Sequence, residues 1–315
     1  FEASLRLEDK YGNLSQSNFL DLDLLTNGIL KKRFQIEENP AVIRDLSFDS
    51  PGLNFLEVRT GGGGLRARSN PTLVGPYNER ILWINLGQRT KISEGVLSKE
   101  EIEYSSKGKF DIVRTVDHQF YIFQPLSNRG LREIGTLRNS FLEYEHSSNK
   151  TVTVATPERT SRLRFQKADR LNLVQIFSGG SYHPWILDRF AQHGYQVGVI
   201  GSQFSLKSSK FESAIYSAVV LEENTSFTDA LSSGSTYVAV DSKIILLNKI
   251  KNLPMEDQRY LEVEVASNDP IENVQLYKNG ALINTYQDEN REIGKYNLEL
   301  YSSSQPFSPV SSRPR

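Results

Sequence analysis

A chain of 315 residues is longer than one small module needs, and at roughly 150 residues per domain it points to about two folding units. Its 37 Lys and Arg against 38 Asp and Glu leave a formal net charge of −1, which excludes a chain-wide basic field for nucleic acid or anionic lipid. The absence of cysteine excludes disulfides, thiolate nucleophiles and sulfur-ligated zinc, and is compatible with a secreted, periplasmic or cytoplasmic setting.

The first residues, Leu5 to Glu8, alternate apolar with charged side chains before the turn composition of Asp9 to Asn13, the period-two pattern of a half-buried strand. Short runs of the same kind recur at Ala41 to Ile43 and Phe55 to Arg59. Together they predict a β-rich N-terminal domain over 1–76. Gly61 to Gly64 reads as a mobile linker, because no Gly-Lys-Ser/Thr follows to make a phosphate loop. Arg80 to Leu86 is a continuous apolar run of buried-strand length, and Ser98 followed by acidic Glu100 and Glu101 has the form of a helix N-terminus.

Strands are predicted at Phe110 to Val116, Lys150 to Ala155, Leu171 to Phe177 and Val197 to Ile200. Between the last two, Pro184 to His193 carries apolar residues at helical spacing and stops at Gly194. This β–α–β rhythm over 77–255 predicts an α/β unit. A short helix is expected at Phe227 to Leu231 and a strand at Thr236 to Val240. The segment 256–301 reads as β-rich: Leu261 to Val265 alternates and is expected to pair with Val274 to Tyr277, with a hairpin turn at Lys278 to Gly280. Residues 302–315 are Ser- and Pro-rich without apolar period and read as a disordered tail. No apolar stretch approaches the ~18 residues of a membrane span.

Four histidines, His118, His146, His183 and His193, make an imidazole-rich metal centre hard to assemble. Asp117 and His118 follow a strand, where β/α folds gather catalytic groups, and Glu145 lies beside His146; solvated strand-end pairs are the competing reading. No serine lies in a Gly-x-Ser-x-Gly elbow, so a hydrolase triad has no nucleophile signature. Tyr182, Trp185 and Tyr195 are aromatics that could contact sugar, although Trp185 at helical spacing also suits a core.

Taken in order, several segments resemble the PHP-type (polymerase and histidinol phosphatase) metallohydrolase-like family. Ser69-Asn70-Pro71 and Trp83 to Thr90 are similar to the family's Ser-Asn-Pro and Trp-Gly-Asp-Leu-His-x-His-Thr segments. Ser93-Glu94-Gly95, Phe110 to His118, Leu142 to Ser147, Val174 to Ser178 and His193 to Ser202 resemble its later motifs, and the matching order continues through Phe227 to Leu231, Ser235 to Val238 and Lys243-Ile244. The departures fall where that family keeps its metals. Asn85 stands at an Asp position, and Gly87 and Arg89 stand at the two His positions of the first ligand motif. Gln203, Phe204, Ser205 and Leu206 occupy the stretch that would close the ligand set with Asp-x-His. Neither glycine nor a permanently charged arginine ligates a cation. What remains is Asp117, His118 and Glu145.

The resemblance therefore implies an α/β fold, a PHP-like distorted β/α barrel with β-rich N-terminal and C-terminal segments. It implies a non-catalytic pseudoenzyme acting as a binding or assembly subunit, with no cofactor, and with a protein partner or self-assembly rather than nucleic acid. The alternative is a metal-dependent hydrolase or phosphoesterase with a single divalent Mn, Fe or Zn on the residual ligands. A carbohydrate- or surface-binding module is the further alternative.

Overall fold

A computed structural model of the chain describes residues 1–9, 13–15, 20–88, 98–106, 110–115, 117–120, 131–134, 137–138, 141–145, 151–155, 172–178, 181–202, 215–252, 259–278 and 280–300. The N-terminal strands are β1 (Ala3–Leu5), β2 (Leu20–Thr26), β3 (Ile29–Ile36), β4 (Ala41–Ile43), β5 (Gly52–Asn54), β6 (Leu56–Thr60), β7 (Arg66–Arg68) and β8 (Thr72–Val74). Then come β9 (Glu79–Gln88), α1 (Lys99–Ser106), β10 (Ile112–Thr115), β11 (Asp117–Phe120), β12 (Leu131–Ile134), β13 (Leu137–Arg138), β14 (Phe141–Glu145), β15 (Thr151–Ala155) and β16 (Leu173–Ser178). They are followed by β17 (Ser181–Tyr182), α2 (Pro184–Gln192), β18 (Gly198–Ser202), β19 (Ile215–Glu222), α3 (Phe227–Ser232), β20 (Thr236–Val240), β21 (Ile245–Asn252), β22 (Arg259–Lys278) and β23 (Ala281–Leu300).

β2 and β3 form a hairpin whose turn is Asn27-Gly28, with φ of 49° and 81°. Positive φ at both central residues is the turn whose twist matches paired strands, and Asn-Gly adopts it at least cost. The sheet order is β3-β2-β6-β7. Leu24 and Leu56 lie on its inner face against Ile43. Gly61 to Gly64 is not a mobile linker: the Gly63 N–H donates to the Thr60 carbonyl at 2.8 Å, closing the β6–β7 hairpin.

Among the described residues the middle of the chain shows two βαβ units. Helix α1 joins the parallel pair β9 and β10, and α2 joins the parallel pair β16 and β18. Each helix starts and stops for local reasons. The Ser98 hydroxyl accepts the Glu101 N–H while the Glu101 carboxylate accepts the Ser98 N–H, a reciprocal capping box. Pro184 opens α2 at a position where its missing N–H has no intrahelical role, and Gly194 lies just beyond its end at φ 77°. Ile186 and Phe190 point from α2 onto Val174 and Ile176 of β16.

These units do not propagate into the expected β/α barrel. Among the described residues the fold is mostly strand, about 59 %, with about 10 % helix, and their sheets form no closed barrel. The reason lies in the pairing. A β/α barrel needs every strand parallel to its neighbours with a crossover between each. Here β9 pairs antiparallel with β19, β19 with β20, and β14 with β15. Alternating strand and helix texture is a local signal, whereas closure depends on partners far apart in sequence. Among the described residues no helix is long and apolar enough to cross a membrane.

The central core lies between the sheet β10-β9-β19-β20 and the β16–β18 pair: Leu82, Ile84 and Leu86 of β9 meet Leu173, Ile200 and Val219, with Ala230 and Leu231 of α3 covering one side. Two features hold these layers in contact. A side chain on Gly198 would strike the Gly234 backbone at 2.6 Å, so only glycine permits the approach. The buried Ser217 hydroxyl donates to the Gly201 carbonyl and accepts from the Gly201 N–H, both at 2.8 Å.

At the C-terminal end, Leu261 to Val265 and Val274 to Tyr277 do not pair with each other. Both belong to β22, which passes Ser267 to Pro270 through a register shift rather than a turn and pairs along its length with β23. The hairpin turn after Lys278 is where the sequence places it, since Lys278 faces Ala281. The tail from 302 onward lies outside the described residues.

Candidate functional site

The site is built on the face of β9 turned away from the central core. Side chains alternate along a strand. Leu82, Ile84 and Leu86 enter the central core, so Ile81, Trp83 and Asn85 point the other way. The register of the sheet extends that second face: Ala218 lies opposite Trp83, Val220 opposite Ile81, Ala218 opposite Tyr237, and Tyr216 opposite Ala239. Long-range pairing therefore gathers Trp83, Tyr216 and Tyr237 into one aromatic surface.

The rings meet edge to face. Trp83 lies 6.0 Å from Tyr216 and 6.0 Å from Tyr237, at interplanar angles of 80° and 84°. Phe110 tilts onto Tyr216 at 5.4 Å. Over this box lies Lys243, 9 % exposed, its ammonium 5.3 Å from the Trp83 ring and 5.6 Å from the Tyr216 ring. Aromatic faces attract a cation, but more weakly than water solvates it. Burial accordingly lowers the Lys243 pKa from its ordinary 10.5, opposed by the charge of Asp111. Asp111 itself is anchored on β9: its N–H donates to the Trp83 carbonyl at 2.7 Å and its carboxylate accepts the Trp83 N–H at 2.8 Å. The Tyr237 hydroxyl donates to the Ile244 carbonyl at 2.7 Å and accepts the Leu246 N–H, tying the segment after Lys243 to β20. Burial also raises the Tyr237 pKa, so this hydroxyl stays protonated.

Beside the box is a cavity of about 330 Å³. Its lining includes Thr72, Leu73 and Tyr77, then Glu79, Ile81 and Trp83 of β9, and Ile245. Glu79 Oε1 pairs with the Lys249 ammonium at 2.8 Å, which raises the lysine's pKa. The Tyr77 hydroxyl donates to Glu264 at 3.1 Å; burial and that carboxylate raise its pKa.

The residues singled out in the sequence are distributed over several elements. Asn85 is 1 % exposed on β9, on the Trp83 face, and Gly87 follows two residues on. Asp117 and His118 open β11, one residue after β10. Glu145 closes β14 opposite Thr151, at the N-terminal edge of the parallel strands β15 and β16. The backbone thus puts Asp117 and His118 in the β11–β12 sheet and Glu145 in the six-stranded one. Arg89, Gln203, Phe204, Ser205 and Leu206 lie outside the described residues. Among the described residues no cluster of three or more His, Asp or Glu is placed to hold a metal.

Of the three surface aromatics, Tyr195 packs on Phe190 at 5.9 Å inside the α2 core, and Tyr182 stacks exposed on Phe177 at 4.7 Å. Trp185 is 42 % exposed rather than core. Sequence reasoning assigns no role to Lys243 or Tyr237, which fall in segments matched only for their order, and does not single out Tyr216 or Glu79. The apolar run Ile215 to Leu221 marks β19, yet nothing local says that its Tyr216 will meet Trp83.

No family model matches the sequence, and no curated protein matches it. A solved two-domain protein from Bacteroides vulgatus, containing a predicted PHP-like metal-dependent phosphoesterase, is similar in structure at a TM-score of 0.35 and 8 % identity, over 74 % of this chain and 90 % of that chain. A TM-score of that size does not assign a fold.

Proposed function

We propose that the chain is a non-catalytic relative of the PHP-type metallohydrolases that works as a binding or assembly subunit. The observation that carries this reading is the chemistry of the Trp83 face of β9. Where the resemblance calls for an anionic ligand, Asn85 supplies a buried neutral amide, and Gly87 supplies no side chain at all. On the same face, the Lys243 ammonium is held against Trp83 and Tyr216. A fixed buried cation repels a second cation by several kcal/mol at contact distances in a medium of low dielectric. The residues present on this face do not fit a metal cluster.

The partner expected is a protein or a second copy of the chain. Tyr277 and Leu282 pair across the outer end of the β22–β23 ribbon, and both are exposed, which suits an apolar contact. The test of the non-catalytic reading is turnover. With Mn²⁺, Fe²⁺ or Zn²⁺ supplied, phosphomonoester and phosphodiester substrates should remain uncleaved above the rate of buffer. Turnover that disappears in Asp117→Ala or Glu145→Ala would overturn the proposal in favour of a reduced metal site.

A further inference from the structure

The β6–β7 hairpin gathers three arginines around one carboxylate. Its Thr60 N–H donates to the Leu65 carbonyl and the Ser69 N–H to the Leu56 carbonyl, so the hydrogen-bonded positions of this pair are the even-numbered residues of β6. Arg59 and Arg66 therefore face each other at a non-hydrogen-bonded position, where opposed Cβ atoms stand about 4.5–5.5 Å apart. Two guanidiniums that close repel each other, and one group holds them there. The buried Glu57 carboxylate takes Arg59 on one oxygen and, on the other, Arg66 at 2.7 Å and Arg68 at 3.2 Å. Within the hairpin one negative charge answers three positive ones. Arg68 lies over the Phe55 ring, whereas Arg59 and Arg66 keep 42 % and 53 % of their side-chain surface exposed. Beyond them the hairpin closes through Gly61 to Gly64, which carry no side chain to cover the pair, and a Cβ at Gly61, Gly62 or Gly63 would meet nothing within 4 Å.

We infer that Arg59 and Arg66 form a binding site for a single phosphate group, free or carried by a small phosphomonoester, whose oxygens accept N–H donors from both guanidiniums. A planar guanidinium presents a fork that matches oxyanion geometry, and two of them set side by side by a carboxylate behind them lose little freedom on receiving one. Glu57 acts here as a positioning residue. The other ligand classes fit less well. A cation is repelled by the pair, and a neutral or apolar ligand leaves the repulsion between the guanidiniums as it is. A carboxylate brings one charge and two oxygens, whereas a phosphate dianion brings about two charges and three acceptor oxygens, enough to meet both arginines at once. A polyanion is too long. Across β6 from Arg59 lies Asp23 of β2, taken by Arg33 at 2.9 Å, and two residues along the same face lies Asp21, taken by Gln35 at 3.2 Å. A run of phosphates would meet those carboxylates. The site lies on different strands from the Trp83 face and does not depend on whether the chain is catalytic.

Calorimetric titration of the whole chain with inorganic phosphate and with glycerol phosphate, at constant ionic strength and about pH 8 where both are dianions, tests this directly. At least one of them should be taken up saturably. Preference for the ester marks a carried group as the ligand, and preference for the free ion marks inorganic phosphate. Acetate should bind more weakly than either. Arg66→Gln leaves Glu57 with Arg59 and Arg68 and should weaken phosphate by about tenfold, the loss of one charge-assisted contact. Gly62→Glu, at a position with room for a side chain, removes no contact and sets a carboxylate in the loop joining the two strands; it should weaken phosphate even where circular dichroism shows Arg66→Gln misfolded. The inference is overturned if neither ligand saturates, if acetate binds as tightly as phosphate, or if Arg66→Gln folds as wild type and leaves the affinity unchanged. Each of these results is independent of the turnover assay.

Discussion

Two charged side chains are buried among the described residues, and the chain satisfies them by opposite means. Glu57 on β6 is 2 % exposed and is held by Arg59, Arg66 and Arg68, all within the same hairpin. Lys243 has no carboxylate in contact among the described residues; it lies on the faces of Trp83 and Tyr216, with Asp111 acting through its field. The difference shows in their protonation. Burial pushes the Glu57 carboxyl up, but hydrogen bonds from Arg66 and Arg59 and their charges outweigh it and hold the pKa at about 2, below the ordinary 4.5. For Lys243 burial wins, and the pKa falls. One charge is therefore supported by the fold and the other is borne by it. The supported one has partners within eleven residues, so its environment forms with the hairpin. The other depends on strands that meet only when the whole sheet has assembled.

The largest expected effect comes from breaking the supported charge. Glu57→Gln leaves three guanidinium groups facing a neutral amide. Removing one partner of a fully buried pair costs about 3–5 kcal/mol. Arg59 and Arg66 are about half exposed and can turn to water, so the expected loss at pH 7 is about 2–3 kcal/mol in urea unfolding. The variant should also lose an acid transition. Between about 4.5 and about 2 the unfolded wild-type chain binds a proton that the folded chain refuses, so stability falls as pH drops through that window. Glu57→Gln should flatten that fall, and an unchanged acid limb would mean the hairpin does not hold the carboxyl low.

A middle-sized effect is expected at the tie between the aromatic box and β21. Tyr237→Phe removes the donor to the Ile244 carbonyl and the acceptor for the Leu246 N–H, and should cost about 1–2 kcal/mol. A loss of a few tenths would mean the box holds Lys243 without this tie.

The smallest effect, and the one of opposite sign, is expected from the unsupported charge. Lys243→Met keeps an unbranched apolar stem against Trp83 and removes the ammonium. Because the fold disfavours the charged form, stability at pH 7 should stay level or rise by about 1 kcal/mol or less. In wild type the unfolded chain holds more protons than the folded chain between the lowered pKa and 10.5, so stability rises with pH there. The variant should lose that rise. A destabilisation as large as that of Glu57→Gln would erase the contrast between the two sites.

Much of the secondary structure is legible in the sequence because its causes are local. The capping box at Ser98, Pro184 opening α2 and Gly194 after its end all lie within a few residues of what they decide. The Asn27-Gly28 turn has an equally local cause, yet it and its strands β2 and β3 are not among the elements read from the sequence. Other features depend on distant partners. Leu261 to Val265 and Val274 to Tyr277 each alternate cleanly, but alternation does not name a partner, and β23 competes successfully for both. The barrel expectation failed for the same reason: α1 and α2 make true βαβ crossovers, while the antiparallel docking of β19 beside β9 leaves no trace at either strand. The candidate site is legible only in part. Trp83 and Asn85 stand out in the sequence, but Lys243 and Tyr216 reach them across more than 100 residues, and Glu79 reads as an ordinary acid at the start of a strand.

The central claim is that the Trp83 face of β9 is closed to cations by a buried amide and a fixed ammonium. Calorimetric titration of Zn²⁺ and Mn²⁺ into the metal-stripped chain at pH 7 addresses it most directly. The account predicts no saturable uptake at one or more equivalents. Stoichiometric uptake that persists in Asp117→Ala and is lost in Asn85→Ala would contradict it.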